Sequence, residues 1–149
     1  MPHPVYIICC ESGAEDRFTG VLSHFNVFEK FLVWKSNEGK APELPERGMS
    51  TTLQRMRVIS VWMKSDDDPD DAEFEYSVEV TLPNDEANTT VVNSGKFSFT
   101  KPLHRMVINF IGKPNVTRPG VLWLESKVRR IGTDSWISQR YPIIVEFKN

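Results

Sequence analysis

The chain has 149 residues, of which 40% are hydrophobic and 26% are charged, and its formal net charge is −2. This composition is typical of a soluble globular protein, and the length predicts a single domain over residues 1–149 that folds without disulfides or metal. No run approaches the ~18 apolar residues of a membrane span, and Met1–Pro4 lacks the character of a secretory signal. We therefore expect a cytoplasmic protein that does not bind a membrane.

Apolar runs and alternating residues predict strands in the first half of the chain. Val5–Cys10 is long enough for a buried strand and too short for a typical helix. Residues 21–34 predict one long strand with a bend near Asn26, and residues 57–64 predict a strand with apolar side chains on both faces. Residues 74–82 give the clearest strand, because apolar and polar side chains alternate there at every position.

The second half of the chain continues the same pattern. Strands are predicted over 90–100, 104–111, 121–131 and 136–147, separated by turns rich in Gly, Pro, Asn and Asp. Pro142 in the last strand predicts a sheet edge or a bulge. About eight strands without a long amphipathic helix predict an all-β fold, an antiparallel two-sheet β-sandwich that is immunoglobulin-like or C2-like. A closed barrel is the alternative.

The longest predicted connection runs from Lys35 to Gln54. Loops of this length in a compact domain are often functional or disordered. Residues 38–46 have a flexible composition, and residues 51–56 are compatible with a helical turn.

Residue types that could support nucleophilic catalysis are present. Cys9, Cys10, Glu11, His24 and His104 supply thiols, an acid and imidazoles, which are the parts of a catalytic triad. Free cysteine is more often a small buried hydrophobe, and adjacent cysteines on a strand point to opposite faces. We therefore expect structural cysteines in a reducing compartment, no catalytic residue, and a protein that is not an enzyme.

The densest charge cluster is the acidic loop from Asp66 to Asp71, whose carboxylates are the hard oxygen ligands that Ca²⁺ prefers. The EF-hand pattern fails, because Asp71 stands where that loop needs Gly and Ser77 where it needs Glu. A solvated turn is the expected role, which leaves Asp66, Asp68 and Asp70 as weak metal candidates. No zinc or phosphate-loop pattern occurs, so we expect no cofactor.

Charge is distributed unevenly along the chain. Residues 65–95 contain ten acidic residues and no Lys or Arg, whereas residues 101–149 contain nine basic and three acidic residues. Such polarity can steer a partner, and the alternative is that strand faces and loops need charge for solubility. The best basic patch, Lys127 with Arg129 and Arg130, lies in a chain of pI about 5.9, so we expect no nucleic-acid partner.

Four tryptophans offer aromatic anchors of the kind that protein interfaces use. Most of them should lie in the core, and Trp136, which follows Gly132, Asp134 and Ser135, is the one predicted to be partly exposed. Partner-binding candidates are therefore Glu11, Arg129 and Trp136.

One stretch resembles a known family. A strand ends in Cys10-Glu11, then Gly20-Val21-Leu22-Ser23 and Val27-Phe28 follow. This pattern resembles that of an uncharacterised bacterial family of small β-sandwich proteins, a domain of unknown function. That family usually has Gly before the Val/Ile-Phe pair, and Asn26 stands here, the other residue type that tolerates the left-handed region and is compatible with the same bulge.

A second point of similarity is Pro119-Gly120-Val121-Leu122 at the start of a strand. The family tends to place an aromatic residue two positions after the Gly, and Leu122 departs from that. The resemblance follows the order of strands along most of the chain. It implies a sandwich fold and a bacterial origin, and it implies no activity, ligand or catalytic residue.

These features predict a non-catalytic β-sandwich that mediates protein–protein interaction or self-association. The surface around Cys10-Glu11 and the loop from Lys35 to Gln54 are the first regions expected to bind. The alternative is a small-molecule, carbohydrate or Ca²⁺-dependent binding module that uses the acidic loop and an exposed Trp. A cysteine-dependent enzyme ranks last.

Overall fold

The computed structural model of the protein describes residues 1–15, 22–34, 56–85, 87, 89–110, 116 and 118–148. Within these residues the regular structure is entirely β-strand. The strands are β1 (His3–Glu15), β2 (Leu22–Val27), β3 (Lys30–Trp34), β4 (Met56–Met63), β5 (Glu73–Thr81), β6 (Thr89–Ser98), β7 (Leu103–Phe110), β8 (Gly120–Arg130) and β9 (Ile137–Lys148). The predicted loop from Lys35 to Gln54 lies outside the described residues, as does the predicted helical turn except for Met56, which begins β4.

The strands form two sheets that pack face to face. Sheet A has the order β2-β1-β4-β7, and sheet B has the order β3-β9-β8-β5-β6. All neighbouring strands are antiparallel except β3 and β9, which are parallel. The prediction of an antiparallel two-sheet β-sandwich is confirmed.

The strand order from β4 onward matches the immunoglobulin arrangement. In that fold, strands B and E pair in one sheet while C, F and G pair in the other, and C′ extends the second sheet beside C. Here β4 pairs with β7, β5 pairs with β8, β8 pairs with β9, and β6 lies beside β5. Strand β1 flanks β4 as strand A flanks B. Of the two sandwich types predicted, the topology is that of the immunoglobulin-like one.

The prediction of one bent strand over residues 21–34 is wrong, because the chain changes sheets there. Strand β2 ends at Val27, and β3 begins at Lys30 in the opposite sheet. Asn26 has φ 53°, so it adopts the left-handed conformation that the sequence allows. Its neighbours keep an unshifted register with β1, so no bulge forms. The residues on both sides of this crossing are strand formers, so composition alone does not reveal where one strand ends and the next begins.

Pro142 lies at a partly open position of β9. Strand β8 flanks β9 there, with Trp123 opposite Pro142, whereas the pairing with β3 begins only at Ile144. The register with β8 shows no shift at this point. The strand β9 is therefore not an edge strand of sheet B, but it has no β3 residue opposite Pro142, and no bulge is present there.

The core fills the space between the sheets in two clusters. One contains Ile7, Cys9, Met56, Val58, Leu122, Leu124, Ile143 and Val145, and the other contains Trp62, Phe74, Phe99, Met106 and Val128. Both clusters join side chains of sheet A to side chains of sheet B. Each buried aliphatic or aromatic side chain contributes roughly 1.5–3 kcal/mol, so this contact is the main stabilising term.

A polar network lies between the two clusters. The hydroxyl of Ser60 on β4 donates to Ser126 Oγ on β8 at 2.8 Å and accepts from Trp62 Nε1 and Gln139 Nε2, each at 2.8 Å. A hydroxyl has one donor and two acceptor sites, so Ser60 is fully satisfied. The side chains of Ser60, Trp62 and Ser126 are completely buried. The network therefore connects β4 to both β8 and β9 across the core.

We expect Ser60→Ala to lower the free energy of unfolding by about 1–3 kcal/mol, because it leaves the buried Trp62 N–H without an acceptor. Ser94→Ala, at an exposed position of β6, is the matched control and should change stability by less than about 0.5 kcal/mol. Urea denaturation followed by tryptophan fluorescence measures both. Equal midpoints for the two variants would show that the network does not stabilise the fold.

Candidate protein-binding surface

The face of sheet A that points away from sheet B is apolar. On β4, Ser60 and Trp62 face the core, so Ile59 and Val61 must face outward. Both are nevertheless only 4% exposed, and they cluster with the fully buried Cys10 of β1. Tyr6 and Ile8 pack against the same cluster. We call this surface, formed by the outward-pointing side chains of β1, β4 and β7, the outer face of sheet A.

Exposed aliphatic side chains border this cluster. Met63 pairs with Leu103 and Ile59 pairs with Val107 across β4 and β7, which places all four on the outer face. Met63 is 43% exposed, Leu103 54% and Val107 45%. Met63 and Leu103 are neighbours, and Val107 lies on the same face beyond Arg105. Exposed apolar residues that are grouped on one face often mark an interaction site.

Polar groups on the outer face are few and specifically placed. Arg57 donates from Nε to Asn109 Oδ1 at 3.0 Å and from Nη1 to the carbonyl of Gly13 at 3.3 Å. The Tyr6 hydroxyl lies 3.4 Å from His24 Nε2. The buried Nδ1 of His24 has no hydrogen-bond partner among the described residues. The face thus combines an apolar centre with a Tyr and an Arg, which is the composition of protein interfaces.

Burial of the outer face also changes its ionisable groups. Burial raises the pKa of the Cys10 thiol, and the nearby Arg57 opposes that shift. Burial likewise raises the pKa of Tyr6, with Arg105 opposing. Both side chains are therefore neutral near pH 7, and the centre of the face contains no negative charge from them.

The outer face of sheet B is different, because it is charged and its charges pair with one another. Glu79 pairs with Lys127 at 2.6 Å, and Glu75 pairs with Arg129. Strand β5 belongs to the acidic part of the sequence and β8 to the basic part, and the two are neighbours in the sheet. Much of the polarity seen along the chain is thus neutralised by cross-strand pairs.

Two tryptophans on this charged face are covered by arginines. The Arg129 guanidinium lies 4.5 Å from the Trp136 ring centre, and that of Arg140 lies 4.9 Å from the Trp123 ring centre. Trp136 is 39% exposed, so the prediction of a partly exposed side chain is confirmed. One ring face of each tryptophan is occupied by a cation, which leaves less aromatic surface for a ligand.

The structure brings together two of the three residues predicted to bind a partner. Arg129 and Trp136 are stacked on the outer face of sheet B. Glu11 lies on β1 in sheet A, where its carboxylate accepts a hydrogen bond from Asn26 Nδ2 at 2.6 Å. None of those three residues belongs to the apolar cluster on the outer face of sheet A. Its signal was present in residues 57–64, where both faces of the strand are apolar, the pattern of a strand covered on both sides.

The carboxylates of the acidic loop differ in burial and in their partners. Asp68 is buried, with Oδ1 2.9 Å from the N-terminal ammonium of Met1 and Oδ2 accepting from the backbone N–H of Ser65. Asp70 pairs with Lys64, which lowers the pKa of Asp70, and Asp66 is exposed. Within the part of the chain that the structure describes, no group of His, Cys, Asp or Glu is arranged to hold a metal ion.

Next to this loop runs an open groove of about 640 Å³, whose lining includes Phe99 and Lys101. The groove contains both acidic and basic side chains. It is distinct from the outer face of sheet A, which has no comparable charge density.

The residues predicted as parts of a catalytic triad are kept apart. Cys9 belongs to the core cluster, whereas Cys10 faces outward, and burial raises the pKa of both thiols. His24 contacts Tyr6, and His104 stacks on Phe97 with ring centres 4.0 Å apart. Neither histidine is placed to activate a thiol, because a nucleophile needs its base within hydrogen-bond reach.

No family model and no curated protein matches this chain. Among the described residues, no helix is long and apolar enough to cross a membrane.

We expect both thiols to be unreactive in the native protein, because they are buried and protonated at neutral pH. Ellman's reagent should label Cys9 and Cys10 only at the rate of unfolding, and it should label both at once in urea. Rapid labelling of either thiol in native buffer would contradict its burial and would show that the cysteine is reactive.

The half-buried imidazole of His104 should make stability depend on pH. Burial lowers the pKa of His104 below its ordinary value of 6.5, so the unfolded chain binds a proton more readily than the folded chain. Stability is therefore lost as the pH falls from 6.5 towards the folded pKa. His104→Phe, which keeps the ring stacking, should reduce this loss. Denaturation curves above and below that pH test it, and identical slopes for the two proteins would contradict it.

Proposed function

We propose that this chain is a non-catalytic β-sandwich that binds protein, either a partner or a second copy, through the outer face of sheet A. The observation that carries the proposal is the set of exposed apolar side chains of β4 and β7 on a face that points away from the core, beside the buried apolar cluster of Cys10, Ile59 and Val61. The exposed side chains are those of Met63, Leu103 and Val107.

The chemistry of the face favours a protein over a small ligand. A small molecule binds in a concave pocket that covers most of its surface, whereas this face is the broad side of a sheet. An apolar centre with a tyrosine, an arginine and a buried unpaired imidazole nitrogen matches the centre of a protein interface. The outer face of sheet B offers fewer unpaired groups to a partner, since its charges already pair with one another.

A small-molecule, carbohydrate or Ca²⁺-dependent module has weaker support. Such a module would use the acidic loop and an exposed tryptophan. Asp68 and Asp70 already pair with cations, and an arginine covers one ring face of Trp136. Catalysis also has weaker support, because Cys9 and Cys10 are buried with raised pKa values.

The sequence also supports a proposal for the cellular location of this function. Two free cysteines support a reducing compartment, the cytoplasm, and the family resemblance supports a bacterial host. A bacterial lysate is therefore the suitable source for a partner search.

The decisive comparison uses two valines at matched positions. Val107 lies in the middle of edge strand β7 on the outer face of sheet A, and Val91 lies in edge strand β6, 57% exposed. We expect Val107→Glu to weaken self-association or partner capture by about tenfold or more, because it places a charge in an apolar contact. Val91→Glu should leave both unchanged.

Light scattering reports self-association, and pull-down from the bacterial lysate reports partners. Circular dichroism and thermal melting verify that both variants fold. If Val91→Glu impairs association as much as Val107→Glu does, the outer face of sheet A is not the binding surface.

A further inference from the structure

Among the strands that the structure describes, the four at the sheet edges are not equally protected. Natural sheets block edge-to-edge pairing with short strands, lysines and bulges. Strand β6 has Lys96 and an extra residue, Val92, where its register with β5 shifts. Strand β3 has five residues and begins with Lys30, and β2 has six residues with the left-handed Asn26 near its end.

Strand β7 has none of these devices. Its eight residues pair with β4 in one unbroken register. The segment contains no Lys and no Pro, and Arg105 is its single fully charged side chain. Leu103 and Val107 are exposed on it. A long, regular and apolar edge of this kind is a template for pairing with another strand.

We propose that β7 pairs antiparallel with β7 of a second copy, around a two-fold axis at Val107. This inference rests on the proposed function in naming a second copy as the bound protein, and it places the contact at the β7 edge of sheet A, next to the outer face. Sheet A then continues from one copy into the other as an eight-stranded sheet, two sets of the four strands described here.

The faces of the sheet restrict which registers are allowed. Met106 and Ile108 face the core and Val107 faces outward. Both cores must lie on the same side of the joined sheet, so a residue can pair only with one of the same face. The two-fold axis must then pass through a residue position, and the central candidates are Arg105, Met106 and Val107.

Charge and polarity select among these three registers. An axis at Arg105 places two guanidinium groups directly opposite each other, which is destabilising. An axis at Met106 places Leu103 opposite the amide of Asn109. An axis at Val107 pairs Met106 with Ile108, both buried, and places Arg105 opposite Asn109. The register at Val107 avoids both the pair of guanidinium groups and the pairing of Leu103 with Asn109, and it places His104 opposite Phe110.

Cysteine cross-linking tests the axis directly. Residues opposite each other in an antiparallel pair have Cα atoms about 4.5–5.5 Å apart, within the range of about 4.4–6.8 Å that a disulfide spans. Val107→Cys faces itself at the axis and should form a disulfide-linked dimer under mild oxidation. The native Cys9 and Cys10 are buried and do not compete.

Two variants serve as matched controls. Leu103→Cys lies on the same strand and face, but its two copies would be roughly 27 Å apart in this register. Val91→Cys lies on the other exposed edge. Neither should cross-link, and analytical ultracentrifugation of the unmodified chain should show a dimer of the 17.1 kDa chain.

A monomer at all concentrations tested, or equal cross-linking at Leu103→Cys and Val107→Cys, would overturn β7 pairing. The proposed function would survive that result if Val107→Glu still abolished capture of a different protein that Val91→Glu retains. Failure of both the cross-link and the Val107→Glu effect would remove both proposals.

Discussion

The hydrogen bonds of Ser60 are the constraint on which the arrangement of the two sheets depends. Strand β4 is apolar on both faces, so a slip of one residue would exchange one apolar face for another at little cost in burial. The network of Ser60 with Ser126, Trp62 and Gln139 breaks this equivalence. A slipped β4 would carry Ser60 and Trp62 together to the other face and leave the side chains of Ser126 and Gln139 without Ser60 as a partner. Polar atoms therefore select the register that apolar packing alone leaves open.

The two sides of the sandwich consequently have different chemistry. The second apolar face of β4 has to lie outside the core, where Ile59 and Val61 form the centre of the outer face of sheet A. The outer face of sheet B presents ion pairs to solvent, in which Glu75 and Glu79 pair with basic residues of β8. Surface ion pairs contribute little to stability, but they leave few unsatisfied charges for a partner to meet. This contrast between the faces is what supports the proposal that sheet A carries the binding surface.

Local pattern was sufficient for most of the fold, and the remainder depended on long-range contacts. The alternation in residues 74–82 predicted β5 nearly residue for residue, and Pro142 marked an open position of β9. The crossing between β2 and β3 was missed, because strand-forming residues continue through it and only the pairing partner changes. Arg129 was predicted to bind because it is charged, and Trp136 because it was expected to be partly exposed. The outer face of sheet A consists mainly of apolar residues, which the sequence pattern assigns to the core. Which apolar face of a strand is inside depends on the opposing sheet, and that information is not local.

The parallel pair of β3 and β9 links the beginning of the chain to its end. Lys30 and Glu146 form an ion pair across this junction although 116 positions separate them in sequence. During synthesis on the ribosome, β3 emerges long before β9, its neighbour among the described strands of sheet B, so these two strands cannot pair until β9 is made. Contacts of such sequence separation slow folding, because a large loop must close before they form. Completion of sheet B thus waits for the synthesis of β9.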